Sequence, residues 1–329
     1  MSASALRARH GAFGLFALAF SHAALANPTY TTIDPPGSIN TLPMSINNAG
    51  DIAGYFEDSS SQDHGFLRDF SSGTYTIFDG PSSIETVVKS NSGNRIAGYY
   101  FIGDEGHGFL RQPNGSIVTF DPTGSMQTTA LSIANGRIAG YFVDSFIGNH
   151  YSSFVRDAGG TITNFDVAGA TDTNAVSINN SGVVAGSYSD GGGTHGFVRA
   201  VGGAITTFDV PGTTYTAVVA IMTNGKIVGY KGFNGDRAFI RHVNGAIQLF
   251  NIPGAGKIFP AAANNNWIAG STFHMQTLHG FVRDPSGTAV VFDPPGSVRT
   301  TSAGVNASGM VVGQGRDSGG FPHGFLRIP

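Results

Sequence analysis

The sequence predicts an all-β fold, a seven-bladed β-propeller of four-stranded antiparallel blades, and three observations lead to it. A Thr-Thr-Phe-Asp-Val-Pro-Gly stretch, clearest at residues 206–212, recurs seven times at intervals of 42–45 residues. Each period (hereafter a unit) holds four short apolar stretches separated by turn residues. The 48 glycines and a charged fraction of 12% favour tight turns and short strands over helices. Repeated units of this length and pattern are typical of propellers.

Residues 1–26 are predicted to be a signal peptide. Arg7 and Arg9 provide a positive start, residues 11–20 are apolar, and Ala24-Leu25-Ala26 is a small-x-small cleavage site. The apolar stretch is shorter than the roughly 20 residues that a spanning helix needs; a buried N-terminal helix is the alternative interpretation. Residues 27–329 then form the propeller repeat domain, and the protein is expected to be secreted or periplasmic.

Composition limits the classes of partner. The net charge of −3, which becomes −5 once Arg7 and Arg9 are removed, gives no electrostatic basis for binding nucleic acid or anionic lipid. No second apolar stretch is long enough to span a membrane. The chain has no cysteine, so a large core has to stabilise the fold without disulfides. We expect a monomer without a cofactor.

Unit 4 shows the predicted strands most clearly, at residues 175–178, 183–188, 195–199 and 204–209. If Gly202-Gly203 is a two-residue hairpin turn, Phe197 lies opposite Phe208. The same rule predicts four further aromatic pairs, namely Phe109 with Phe120, Phe154 with Phe165, Phe239 with Phe250, and Phe281 with Phe292. In unit 1 the spacing between Phe66 and Phe78 is one residue longer, which predicts a longer turn at residues 71–73.

The two ends of the repeat array are complementary. The array begins with a fourth-strand segment at residues 30–34 and finishes with a third-strand segment at residues 323–327. Pairing of these segments would complete the last blade and close the ring, which would remove two exposed edges. In the register predicted for the other hairpins, Ile33 would lie opposite Phe325.

The sequence of the repeated units resembles that of the bacterial extracellular repeat proteins of the HAF family. His-Gly-Phe-Leu/Val-Arg occurs five times, and a companion Ile-Asn-Asn-x-Gly-x-Ile/Val-Ala-Gly element stands at residues 46–54 and 178–186. The resemblance covers the whole of residues 27–329. The motif departs from the family pattern at the glycine that replaces the alanine of the family name. It departs again in unit 3, which has Ser152-Ser153, and in unit 5, which has Arg237-Ala238, in place of His-Gly. The resemblance implies a secreted repeat protein and transfers no catalytic residue.

Three residue types recur once per unit and could be taken for functional groups. The histidines are His64, His107, His195, His279 and His323, the arginines Arg68, Arg111, Arg156, Arg199, Arg241, Arg283 and Arg327, and the aspartates Asp34, Asp79, Asp121, Asp166, Asp209 and Asp293. Equivalent histidines of separate blades are too far apart to share one ion at about 2.1 Å, so we expect structural hydrogen bonds and no metal. The arginines are predicted to pair with carbonyls or carboxylates between blades. The aspartates suggest calcium or, preferably, Asx-turn anchors before Pro-Gly.

The loops between second and third strands vary in length and sequence. The turns between first and second strands, and between third and fourth strands, are short and uniform. Variable loops on a rigid scaffold are where binding is usually found. The candidate binding residues are Glu57, Asp58, Asp63, Asp104, Glu105, Asp144, Tyr151, Asp190, Asp236 and Asp317. This acidic rim with aromatic residues predicts a non-catalytic module that binds a partner protein, a glycan or a cation.

An enzyme is the alternative interpretation. No nucleophile elbow, phosphate loop or zinc-protease helix is present, so no catalytic residue is predicted. Carboxylates from different blades could nevertheless converge at the mouth of the channel, as glycan hydrolases and lyases require.

Overall fold

The computed structural model describes residues 27–144, 150–274 and 276–329. The predicted signal peptide at residues 1–26 lies outside the described residues, as do residues 145–149 of the third variable loop. Within these ranges the regular structure consists of 28 β-strands. No helix in the described ranges has the length and apolar character needed to cross a membrane.

Each unit contributes four strands in chain order. The first strands are β2 (Ser38–Ile46), β6 (Glu85–Ser92), β10 (Gln127–Ala134), β14 (Asp172–Ile178), β18 (Thr216–Ile221), β22 (Lys257–Asn264) and β26 (Ser297–Val305). The second strands are β3 (Ile52–Asp58), β7 (Arg95–Ile102), β11 (Arg137–Val143), β15 (Val184–Asp190), β19 (Ile227–Lys231), β23 (Trp267–His274) and β27 (Val311–Asp317). The third strands are β4 (Asp63–Arg68), β8 (Glu105–Arg111), β12 (Tyr151–Arg156), β16 (Gly193–Arg199), β20 (Arg237–Arg241), β24 (Thr277–Arg283) and β28 (Pro322–Ile328). The fourth strands are β5 (Tyr75–Phe78), β9 (Ile117–Phe120), β13 (Ile162–Phe165), β17 (Ile205–Phe208), β21 (Ile247–Phe250), β25 (Ala289–Phe292) and, from the start of the repeat array, β1 (Thr29–Ile33).

The four strands of a unit pair antiparallel in sequence order. Units 1, 4, 5 and 6 form separate four-stranded sheets. Units 2 and 3 are joined by a single parallel pair, Gly106 with Gln127, into one eight-stranded sheet. In unit 7, strands β26, β27 and β28 are completed by β1, which pairs antiparallel with β28. The predicted pairing of the first segment with the last is therefore present.

The predicted register of the third and fourth strands was wrong by one residue. Phe208 lies opposite Gly196, and Phe197 lies opposite Thr207. The reason is the turn: Ala200 N–H donates to the carbonyl of Ala204, so three residues lie in the loop instead of two. Loops of this length end with a residue in the left-handed conformation, and Gly203 fills that position with φ 94°.

The same one-residue shift recurs in the other hairpins. Phe120, Phe165, Phe250 and Phe292 lie opposite Gly108, Ser153, Ala238 and Gly280, respectively. At the β1–β28 pair, Ile33 lies opposite Gly324, and Phe325 lies opposite Thr32 instead of Ile33. The small residue before each third-strand phenylalanine is explained by this register, because a Cβ at Gly196 would overlap the ring of Phe208.

Every first strand carries a β-bulge that leaves one residue without a partner on the second strand. The bulged residues are Met44, Lys89, Leu131, Val176, Val219, Ala261 and Ala303. The bulge brings a first-strand carbonyl against the glycine of the second strand. A Cβ at Gly186, for example, would overlap the carbonyl oxygen of Asn174 and the ring of Phe197.

The core lies between units. The third-strand phenylalanines Phe66, Phe109, Phe154, Phe197, Phe239 and Phe281 are fully buried. Phe197 of unit 4 meets Phe165 of unit 3 edge-on, with ring centroids 6.0 Å apart. Four more pairs repeat this contact between neighbouring units. The aromatic pairs predicted within hairpins therefore join successive units, because the two rings of one unit lie on opposite faces of its sheet.

Candidate functional site

The strand register separates two ends of the molecule. Ser38 pairs with Asp58, so the variable loop after β3 lies beside the Asp-Pro-Pro-Gly connection that precedes β2. We call this the loop end; the short first-to-second and third-to-fourth turns lie at the opposite, turn end.

The repeated histidines bind the repeated aspartates at the loop end. His195 Nδ1 lies 2.7 Å from Asp209 Oδ1. The equivalent pairs are His64–Asp79, His107–Asp121, His279–Asp293 and His323–Asp34, at 2.7–2.9 Å. The predicted structural role of the histidines is confirmed by these bonds. The Asx-turn role of the aspartates is corrected: the turns are closed by backbone bonds such as Ser38 N–H to Pro35 C=O, while the carboxylates accept from histidine.

The two units without this histidine show that the pair acts together. In unit 3 the hydroxyl of Ser152 donates to Asp166 at 3.1 Å. In unit 5 the histidine position is Arg237 and the aspartate position is Asn251. Unit 5 therefore lacks the carboxylate, and it is also the unit that has neither a histidine imidazole nor a serine hydroxyl to bond to one.

A buried threonine follows six of the seven connections, and sequence reasoning missed it; the connection at Asn251 is followed by Ile258 instead. Thr216 in β18 accepts the N–H of Val210, and Thr128 in β10 donates to Asp121. The threonines Thr41, Thr86, Thr128, Thr173, Thr216 and Thr300 are almost completely buried. Each stands seven residues after the anchor aspartate. This constant spacing was the available signal.

The repeated arginines stack on aromatic rings. The guanidinium of Arg199 lies 4.7 Å from the ring centroid of Phe165 in the preceding unit. Five more arginines do the same, whereas Arg68 stacks on Tyr75 of its own hairpin because the preceding fourth strand ends in Ile33. The predicted position between units is correct, but the contacts between units are cation–π contacts. Arg156 and Arg241 do donate to carbonyls, those of Asp157 and His242, which belong to their own units. Burial lowers the pKa of Arg199.

The pH dependence of stability follows from the histidine pairs. Burial opposes the charge on His195, but its bonds to Asp209 and Asp190 outweigh burial and raise its pKa above 6.5. A raised pKa in the folded state means that the stabilisation is complete below 6.5 and is lost as pH rises through the folded-state value. We expect His195→Gln to cost about 1–3 kcal/mol near pH 5 and clearly less near pH 9. Urea unfolding at several pH values measures this difference.

His242→Gln is the matched control for that measurement. His242 lies 3.3 Å from the neutral Gln248 side chain and makes no bond to a carboxylate of the described ranges, so its replacement should change stability by a small amount. A constant cost of His195→Gln from pH 5 to about 9 would contradict the charged pair.

Several predicted binding residues contact histidines of their own loop region. Asp58 and Asp190 lie 3.5 and 3.1 Å from the Nε2 atoms of His64 and His195. Asp144 lies 3.1 Å from His150 Nδ1, and Glu105 lies 3.9 Å from His107 Nε2. These four carboxylates therefore stay distributed around the loop end.

Asp236 and Asp317 also close turns. The backbone N–H of Asp236 donates to the carbonyl of Lys231, and Asp317 Oδ1 accepts the backbone N–H of Phe321 at 2.9 Å. Asp104 adjoins a shallow depression that is also lined by Glu85 and Phe101.

Two predicted residues, Glu57 and Asp63, are brought together with residues that the sequence did not single out. Glu57 and Asp63 are directly paired across β3 and β4. Burial, followed by the charges of Glu85 and Glu57, raises the pKa of Asp63. Burial, followed by the charges of Asp63 and Glu85, also raises the pKa of Tyr55.

Tyr99 extends this group toward unit 3. Burial raises its pKa to about 12, with smaller effects from Tyr55, Tyr141, Glu85 and Asp63. The ring of Tyr141 meets that of the predicted residue Tyr151 edge-on at 5.4 Å. We call Glu57, Asp63, Glu85, Tyr55 and Tyr99 the acidic tyrosine cluster; only its first two members were predicted.

A cavity of about 420 Å³ lies at the turn end and is lined by the first strands of all seven units. None of the ten predicted binding residues lines it. Its lining includes the bulged residues, among them Lys89. In the described ranges, no group of three His, Cys, Asp or Glu side chains is arranged to hold a metal ion.

Comparison with known proteins identifies the fold but no family. No protein-family model and no curated protein matches the chain. Streptogramin B lyase superposes with a TM-score of 0.62 at 13% identity, over 92% of this chain and 98% of that one. A catalytically inactive virginiamycin B lyase from Staphylococcus aureus with quinupristin gives 0.63 at 12%, over 92% and 100%. TolB from Acinetobacter baumannii gives 0.50 at 14%, over 80% and 76%. The chain therefore has a β-propeller-like fold, and these neighbours include enzymes as well as TolB.

Proposed function

We propose that residues 27–329 form a closed, seven-bladed propeller that is exported after loss of residues 1–26 and is related to the HAF repeat proteins. Closure is supported by the β1–β28 pair and by bonds between units 7 and 1. Gln314 Nε2 donates to Asn40 Oδ1 at 2.9 Å and to the carbonyl of Thr41 at 3.0 Å. Asn306 Nδ2 donates to the carbonyl of Asn47 at 3.2 Å. The cavity bordered by every first strand is further support.

The propeller is a binding module, and its ligand is a basic segment of a partner protein that docks at the acidic tyrosine cluster. The observation that carries this proposal is the concentration of Glu57, Asp63 and Glu85 in one place, where the pKa of Asp63 is raised by burial and by its two acidic neighbours. Within the described ranges, the ion pairs all involve histidine, and none involves Glu57, Asp63 or Glu85.

Lysine or arginine side chains of a partner would relieve this repulsion, and the ring of Tyr55 suits cation–π contact, whereas that of Tyr99 already lies 5.5 Å from Lys89 Nζ. Tyrosine and arginine are also enriched at protein interfaces. The repeated histidines, aspartates and arginines, in contrast, are used within the fold.

An enzyme that acts on a glycan is the second candidate. It is favoured by the same raised pKa, because a carboxyl group whose pKa is raised by burial and by neighbouring carboxylates is typical of a general acid and its partner. In that case Asp63 would be the acid, and Glu57 or Glu85 the second carboxylate.

Calorimetric titration with octalysine, octaglutamate, cellohexaose and chitohexaose separates the candidates. We expect residues 27–329 to bind octalysine with an affinity that falls as salt is added. The triple variant Glu57→Gln, Asp63→Asn, Glu85→Gln should bind at least about tenfold more weakly. The triple variant Asp69→Asn, Asp157→Asn, Asp284→Asn removes the same charge at the turn end and should retain binding.

Equal loss in both triple variants would mean that only net charge matters and would overturn the proposed site. Cleavage of either hexasaccharide by the wild type, abolished by Asp63→Asn, would establish the enzyme instead. Absence of octalysine binding would reject the basic segment as ligand.

A further inference from the structure

The cavity at the turn end carries a single charge. Its lining strands supply alanine, larger apolar residues, serine, threonine and asparagine; among the described residues that border it, Lys89 is the one charged side chain. Lys89 occupies the bulge position of β6. The same position holds Met44, Leu131, Val176 and Val219 in other units. A cation thus replaces an apolar side chain at one of seven equivalent positions.

Lys89 has no anionic partner in the described part of the chain. Its Nζ lies 5.5 Å from the ring centroid of Tyr99. Burial lowers its pKa, and no carboxylate offsets this effect. The adjacent polar groups are already used between units: Ser90 Oγ accepts the N–H of Ile133, and Asn91 Nδ2 donates to the carbonyl of Asp51. A partly buried ammonium group without a counter-ion is unfavourable unless a ligand supplies the charge.

We propose that this cavity binds a small organic monoanion, a carboxylate with a compact apolar body. The carboxylate would accept hydrogen bonds from Lys89 Nζ, and the apolar body would contact the bulged residues Met44, Leu131, Val176 and Val219. A volume of about 420 Å³ accommodates such a molecule. The absence of acidic residues from the described lining disfavours cations, and the apolar bulge positions disfavour a bare inorganic anion.

The lining of this cavity lies at the turn end and contains none of the residues of the acidic tyrosine cluster. The two sites adjoin at one contact, because Lys89 Nζ lies 5.5 Å from the ring centroid of Tyr99. Their ligands have opposite charges, so the anionic and cationic probes test the two proposals separately.

Benzoate, benzamide and benzylamine test the proposal because they share a ring and differ in charge. Ligand-observed NMR and calorimetry on residues 27–329 should detect benzoate binding, with benzamide at least about tenfold weaker and benzylamine not binding. Lys89→Met should reduce benzoate affinity by a similar factor. Methionine is a mild replacement, since Met44 occupies the same position in unit 1. Lys226→Met is the control, because Lys226 Nζ is bonded to Asn266 Oδ1 at 3.0 Å, outside the lining.

A second measurement locates the contact without a mutation. The chain has four lysines, Lys89, Lys226, Lys231 and Lys257, so carbon-13 methylation gives few and assignable signals. Benzoate should move the Lys89 signal and leave the others in place. Equal binding of benzoate and benzamide, unchanged benzoate affinity in Lys89→Met, or a shift confined to another lysine would each overturn the proposal.

Discussion

Replacement of Phe197 by alanine should destabilise the protein by about 3–5 kcal/mol, the usual cost of removing a buried aromatic side chain. Phe197 is completely buried. Its ring packs against Phe165 of the preceding unit and against the backbone at Gly186, so the neighbouring sheets have little freedom to collapse into the space. Urea unfolding of residues 27–329, followed by circular dichroism and by fluorescence, measures the change.

Phe321→Ala is the control for this experiment. The side chain of Phe321 is 64% exposed, so its removal should change the free energy of unfolding by no more than about 0.5 kcal/mol. Similar costs for the two variants would mean that the interface between units 3 and 4 does not stabilise the fold.

Replacement of Ile33 by alanine should cost about 2–5 kcal/mol. Ile33 is the last residue of β1 and is completely buried. It belongs to the same apolar cluster as Phe66 of unit 1 and Leu326 of unit 7, so it is part of a core that both ends of the repeat array share. The substitution therefore tests whether the first strand joins the last unit to the first.

Thr31→Ala is the matched control on the same strand. Thr31 is exposed and pairs with Leu326 through its backbone, so its side chain contributes little to the core. If Ile33→Ala were as mild as Thr31→Ala, β1 would not be docked in solution, and the closed ring would have to be abandoned.

The repeat period determined most of the architecture in advance. The four strands per unit, the uniform turns, the variable loops and the pairing of the first segment with the last all followed from residue spacing. This was possible because each glycine-rich turn and each alternating apolar stretch is a local property of the chain. The recurrence of histidine at one place in the unit also predicted structural hydrogen bonds, although not their aspartate partners.

Register and inter-unit contacts required the tertiary structure. The pairing of Phe208 with Gly196 depends on a loop of three residues, and a Gly-Gly pair is compatible with either two or three. The stacking of Arg199 on Phe165 joins residues of different units, whose relative position no single unit encodes.

The candidate sites illustrate the same division. Glu57 and Asp63 were predicted from their variable loop, but Glu85 lies in the next unit and became part of the cluster only through packing. Lys89 was not singled out, because a lysine in a strand is ordinarily a solvent-exposed residue; the bulge places it on the lining of the cavity. The sequence determined which strands exist and in what order, since these depend on local periodicity. The tertiary structure decided which side chains of different units meet, because that depends on bulges, turn geometry and the packing of one sheet against the next.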